Sequence, residues 1–134
     1  MWGLPVEVAS GNLYFWVVMN IDSFHYLETV RKYILALPGV EEYTCYGTPA
    51  FRVNKKLLAR LREDGGTLVV RNEEREVWMK KDPSVYFITE HYRNYPTLLI
   101  NLAKVKNNEL KILLETAWRS RANKKQLKEY ENEK

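Results

Sequence analysis

Apolar side chains recur three or four residues apart early in the chain. Phe24, Leu27, Val30, Ile34 and Leu37 fall on one side, with Glu28, Arg31 and Lys32 on the other, the period of a helix with one buried face. Asp22 or Ser23 offers the short side-chain oxygen of an N-cap, and Pro38-Gly39 ends the run. The period then shortens to two. Leu57, Ala59 and Leu61 alternate with Leu58, Arg60 and Arg62, which predicts a strand with two distinct faces. Ala50–Val53 is its hairpin partner across Asn54-Lys55-Lys56. Asp64-Gly65-Gly66 supplies a second turn into a third strand, Thr67–Arg71, whose Val69-Val70 suits a pleated surface.

Glu73 to Lys81 reads as a short helix with acids in its first turn and lysines in its last, as the helix dipole favours. Asp82-Pro83 stops it. Val85–Thr89 and Thr97–Leu102 are two further strands, separated by the irregular segment His91–Pro96. Leu110, Leu113, Leu114, Ala117 and Trp118 then form an i, i+3, i+4, i+7, i+8 stripe, capped by Asn107 or Asn108. From Asn123 to Lys134 the chain is almost wholly polar, which predicts a frayed tail. The order α-β-β-β-α-β-β-α implies an α+β fold: a two-layer sandwich with a mostly antiparallel five-stranded sheet, one face covered by the first and last helices.

Three segments follow: an N-terminal extension over residues 1–18, a domain over 19–122 and a polar tail over 123–134. The apolar run Leu13–Met19 is too short for a membrane helix, which takes ~20 residues. No basic region precedes it, so a secretory signal fits poorly. The extension is expected to add a strand or stay loose. A lone Cys45 excludes an internal disulfide and fits a reducing, cytoplasmic setting. With His25, His91 and Cys45 as the only soft ligands, neither a metal nor another cofactor is expected. Charge is uneven along the chain. Residues 1–42 carry Arg31 and Lys32 against Glu7, Asp22, Glu28, Glu41 and Glu42, so a net charge of +4 leaves the remainder strongly basic, a balance that attracts polyanions.

Two cationic runs stand out: Arg52, Lys55, Lys56, Arg60 and Arg62 have no acid between them, and Arg119, Arg121, Lys124, Lys125 and Lys128 gather near the C-terminus. They read either as a solvated basic face or as phosphate contacts, with tyrosines adding base stacking. Tyr46-Gly47-Thr48-Pro49-Ala50-Phe51 and His91-Tyr92 with Tyr95-Pro96 are irregular and aromatic. Tyr46, Thr48, His91, Tyr92 and Tyr95 are the candidates there for a ligand or partner surface. Packing is the competing role, and it would place Tyr46 and Phe51 in the core. His91 has the ring of a general base, but no nucleophile or carboxylate accompanies it in sequence, so no enzyme is expected.

Six islands resemble the MmcQ/YjbR-like proteins. They are Leu37-Pro38-Gly39-Val40-Glu41-Glu42, Tyr46–Phe51, Leu58-Ala59-Arg60-Leu61, Asp82-Pro83-Ser84-Val85-Tyr86-Phe87, His91-Tyr92 with Tyr95-Pro96, and Leu114-Glu115-Thr116-Ala117-Trp118-Arg119. The resemblance spans about Asp22 to Ala122. It implies a small α+β domain similar to bacterial secretion chaperones and, more distantly, to frataxin-like proteins, and it implies the DNA-binding label such proteins commonly carry. Two functions follow as expectations: weak, phosphate-directed DNA binding through the basic hairpin and the C-terminal helix end, or a chaperone-like module that binds a protein partner. No membrane association is expected.

Overall fold

The sheet is assembled from hairpins, two of them closed by backbone in the left-handed region. β1 (Glu41–Cys45) and β2 (Thr48–Val53) are joined by Tyr46-Gly47, and β2 and β3 (Lys56–Leu61) by Asn54-Lys55. These residues have φ of +52°, +79°, +53° and +65°. Positive φ at both central residues is what a two-residue hairpin turn requires. β4 (Thr67–Arg71) follows, then α2 (Arg75–Lys81), the two-residue β5 (Tyr86–Phe87), a single 3-10 turn at Glu90–Tyr92, and β6 (Thr97–Asn101). All pairings are antiparallel, in the order β1-β2-β3-β4-β6-β5. The computed structural model describes the backbone of residues 12–133 and the side chains of residues 21–133.

The sheet has six strands where alternation predicts five. The extra one, β1, is an edge strand of sequence Glu-Glu-Tyr-Thr-Cys that buries none of its residues, so it shows no apolar alternation. Its charged outer edge is how sheets discourage unwanted pairing. The expected strand Val85–Thr89 shrinks to two paired residues because the chain bends into the 3-10 turn.

One face of the sheet carries the core. Phe51, Ala59, Val70 and Leu98 line up across β2, β3, β4 and β6, and Leu61, Leu68, Ile100 and Tyr86 form a second row. All are buried. A register shift between Phe51 and Arg52 lets Leu58 and Ala59 both go inside, as a β-bulge does. α1 (Asn12–Ile34) and α3 (Asn107–Arg119) pack together over these rows. The α3 stripe is buried as its spacing predicts, and the Trp118 indole donates to the Pro38 carbonyl at 2.8 Å.

Three expectations are corrected at the two ends. α1 begins at Asn12, so residues 12–18 are helical rather than an added strand or a loose segment; residues 1–11 lie outside the described residues. Asp22 and Ser23 therefore sit inside a helix and cap nothing. No proline or glycine falls between Gly11 and Pro38, and the apolar run upstream continues the helix instead of stopping it. Phe24, placed in the core by its spacing, is 57% exposed, while Val30 and Ile34 on the same stripe are fully buried. The third correction is the tail. Lys124–Asn132 forms α4, opened by a capping box in which Asn123 accepts from the Gln126 N–H and the Gln126 side chain accepts from the Asn123 N–H. Leu127 and Tyr130 pack against the core cluster, and the Tyr130 ring sits 5.1 Å from Trp118.

Candidate nucleic-acid interface

Among the described residues, no helix covers the other sheet face. Ala50, Arg60, Val69 and Leu99 run across it in register, with Arg71 opposite Thr97 further along β4 and β6. The His91–Pro96 segment arches over this face. It is held there by Arg75, which opens α2 and whose guanidinium donates to the carbonyls of Tyr92 at 2.9 Å, Arg93 at 2.5 Å, Tyr95 at 2.6 Å and Thr97 at 3.1 Å. Asn72 prepares the start of α2 by accepting from the Glu74 N–H at 2.8 Å. One charged side chain thereby gathers the carbonyls of a loop whose own backbone bonds are short turns, with one link from the Asn72 N–H to the Pro96 carbonyl at 2.8 Å.

Between the arch and the sheet lies an open cavity of about 730 Å³, within the size range of ligand sites. Leu57, Leu58 and Val69 give it an apolar floor, Tyr46, His91, Tyr92 and Tyr95 an aromatic wall, and Arg60, Arg71 and Arg121 its charge. No acid lines it. Four of the five residues singled out for a ligand surface are here, and the fifth, Thr48, accepts a hydrogen bond from Arg60 at 3.0 Å while donating to the Cys45 carbonyl. The structure thus brings the two aromatic segments to one place.

Arg60 joins them. Its side chain is only 12% exposed, lies 3.5 Å from Glu63, and stands 5.6 Å from the Tyr46 ring centre. Burial works against its charge, but the Tyr92 hydroxyl and Glu63 more than compensate, and its pKa is displaced upward. Arg71 pairs with Glu73 at 2.6 Å. Tyr46 itself corrects the packing expectation: it is 85% exposed, whereas Phe51 is buried. A tyrosine in the left-handed region is unfavourable by ~1 kcal/mol or more, at a place where hairpins ordinarily put Asn or Gly.

The basic residues divide. Arg52 is taken up by Glu41 at 2.7 Å and stacks on Tyr43, and Arg119 by Glu115 at 3.0 Å and Glu131 at 3.4 Å. Arg62 follows β3, half-buried, and its N–H closes on the Thr67 carbonyl. The others converge. Asn54, at the β2–β3 tip, donates to the Arg121 carbonyl and to Gln126, each at 2.9 Å, and accepts from Gln126 at 3.2 Å. Gly39 makes room for this joint, since a Cβ there would fall 2.3 Å from the Gln126 amide. Lys55 and Lys56 on one side, and Arg121, Lys124 and Lys125 on the other, therefore meet at one end of the molecule. None of the four lysines has an ion-pair partner among the described residues. Arg121 belongs to both this basic end and the cavity lining.

Sequence reasoning passed over Arg75, Arg71 and the docking role of Asn54. The Asn123-x-x-Gln126 spacing was the available signal for α4; a guanidinium that binds carbonyls leaves no mark in sequence. Among the described residues no group of three or more His, Cys, Asp or Glu is placed to hold a metal ion, and no helix is long and apolar enough to cross a membrane.

The fold and site define a small α+β domain with one helix-covered sheet face and one open face bearing an arginine- and tyrosine-lined cavity. Residues 35–120 match the YjbR family, and the chain belongs to it. Two uncharacterized proteins, Rv2570 of Mycobacterium tuberculosis and Mb2600 of Mycobacterium bovis, are each 40% identical to it over 43 residues. That stretch covers 32% of this chain and 33% of each relative. No solved structure matches the chain.

Proposed function

We propose that the protein is a cytoplasmic nucleic-acid binder whose basic end makes weak, sequence-independent contacts with phosphates. The observation that carries this is the convergence of two cationic runs about 70 residues apart in sequence, joined through Asn54, Arg121 and Gln126 (sequence separations of 67 and 72). Lysines without carboxylate partners keep their charge available to a polyanion, and the N-terminus of α4 adds its dipole to the same side. Such contacts release counterions and position a nucleic acid without reading bases. This reading is one of binding, and it gives the exposed His91, whose ring stands edge-on to Tyr92 at 4.7 Å, a place in the aromatic wall.

The test is a titration of labelled duplex DNA followed by fluorescence anisotropy at several salt concentrations. With three or four phosphates engaged, the slope of log affinity against log salt is roughly −3 to −4. Replacing Lys55, Lys56, Lys124 and Lys125 with alanine flattens that slope toward zero and weakens unrelated sequences alike. Absence of binding at low ionic strength, or equal binding by the fourfold variant, overturns the proposal and points to a protein partner instead.

A further inference from the structure

The cavity on the open face has the chemistry of a more selective site than the basic end beside it. Resting on the nucleic-acid proposal above, we infer that this cavity receives one unpaired nucleotide, its base against the tyrosines and its phosphate among the arginines. Four observations converge on it. First, its lining combines an apolar floor, tyrosine rings and three guanidiniums, with no carboxylate among the lining residues. Arg60 and Arg71 already face Glu63 and Glu73 from outside the lining. A planar apolar ring bearing an anion still uses floor, rings and the remaining donors together, whereas a lipid tail or an apolar peptide offers nothing to Arg71 Nε and Arg121 Nε.

Second, the buried side-chain nitrogen and oxygen atoms without a hydrogen-bond partner among the described residues are Arg71 Nε, Thr97 Oγ1 and Arg121 Nε. All three belong to residues lining this cavity. Buried donors left unmade are unfavourable, and an anionic ligand with several acceptor oxygens relieves them after small side-chain shifts. Third, Tyr46 is kept 85% exposed at φ +52°. Arg60 lies toward one face of its ring at 5.6 Å, which leaves the other face free for a base. Base–aromatic stacking does not depend on base identity. Fourth, Arg121 spans the cavity and the basic end, so a strand whose backbone follows the lysines reaches the cavity without a break. A paired base cannot enter, because its edge and faces are occupied within the duplex. The cavity therefore separates single-stranded from duplex nucleic acid, a distinction that lysine–phosphate contacts do not make.

The experiment uses the full chain, a short fluorescein-labelled thymidine strand, the same strand with a central abasic site, and the labelled duplex. The intact strand is expected to bind roughly tenfold more tightly than the abasic strand or the duplex, the scale of stacking one base. Tyr46→Asn and Tyr95→Ala each remove that advantage and leave duplex affinity as it was. Tyr46→Asn creates the favoured Asn-Gly turn, so loss of folding is not an explanation for its effect. Thymidine monophosphate serves as the competing arm. Displacement of the strand at similar concentrations assigns the cavity to free nucleotides, and displacement only at large excess assigns it to nucleotides within a strand; both support a base with its phosphate in the cavity. Equal affinity for intact and abasic strands, or an unchanged single-strand affinity in Tyr46→Asn, overturns the inference while leaving duplex binding through the lysines standing. Loss of duplex binding in the lysine variant, together with loss of the single-strand advantage in Tyr46→Asn, supports both sites; no binding of any probe by the wild type defeats both.

Discussion

Ala59 and Arg60 are neighbours on one strand and belong to opposite worlds. Ala59 joins a face where Phe51, Val70, Leu98 and the α3 stripe exclude water completely. Arg60 joins a face where a loop, not a helix, provides the cover and where polar groups are held one by one. The helix side is secured by many small apolar contacts, each replaceable by another of similar volume. The open side depends on particular donors: Arg75 on four carbonyls, Arg60 on Thr48, Asn54 on Gln126. A fold that needed only stability would cover both faces alike. The contrast marks the open face as the one with a task beyond folding.

The two faces should therefore respond differently to substitution. The largest effect is expected from Trp118→Ala, which empties a fully buried site and removes the bond to Pro38. Stability falls by about 3–5 kcal/mol in denaturant titration. Arg60→Ala, on the opposite face, removes a largely buried side chain bonded to Thr48 and is expected to cost about 1–2 kcal/mol while abolishing the single-strand preference. If Arg60→Ala unfolds the protein, the division of labour is wrong.

Arg75→Ala comes next. It leaves four carbonyls to water and the arch without its anchor, a loss of about 1–3 kcal/mol. Hydrogen exchange should quicken between His91 and Thr97 and stay unchanged in α3. Arg75→Lys is expected to restore only part of this, because the Tyr92, Tyr95 and Thr97 carbonyls gather on one nitrogen, Nη1, which an ammonium can replace, while the Nη2 bond to Arg93 is lost. Tyr46→Asn reverses the sign: relief of the left-handed tyrosine should raise stability by up to about 1 kcal/mol even as it weakens strand binding.

The smallest effect is pH-dependent and lies at the far edge of the sheet. Glu109 accepts from Lys81 at 2.6 Å and from the Tyr86 hydroxyl at 2.5 Å. The Lys81 bond and then the Tyr86 bond hold its pKa below the ordinary glutamate value. Burial first, and Glu109 second, push the Tyr86 phenol upward. A lowered folded-state pKa means stability that is present above the ordinary value, about pH 4.3, and lost as pH falls through the lowered one. Glu109→Gln should thus be less stable than the wild type near neutrality, by about 1 kcal/mol, with the gap closing below about pH 4. A gap that persists in acid would mean the carboxylate charge is not what matters.

Much of the helix face was legible in sequence. The α3 stripe stands at helical spacing, and Leu61 and Ala59 alternate as a strand should, because burial imposes a period that survives in the residues. The corrections fall where packing is not the organising force. β1 is an edge strand with nothing buried, α4 is polar but for Leu127 and Tyr130, and the extra length of α1 lies in a run whose apolar residues show no cap. The site was half legible. Its aromatic residues and both cationic runs could be named, since their types are unusual for turns and loops. That Tyr46 meets His91–Pro96 across Arg60, and that Lys55 meets Lys125 through Asn54, depends on strand order and on side-chain bonds to backbone, neither of which leaves a period.

The difference between the faces is tested most directly by backbone amide NMR during titration with a short single strand. Shifts should cluster at Tyr46, Gly47, Arg60, Val69, Arg71 and Thr97, with Lys55, Lys56 and Lys124 following at low salt, while Val30, Ile34, Leu113 and Leu114 stay still. Shifts concentrated on α1 and α3, or a saturable interaction that leaves the Tyr46–Arg60–Thr97 surface unmoved, would contradict the assignment of the open face as the binding face.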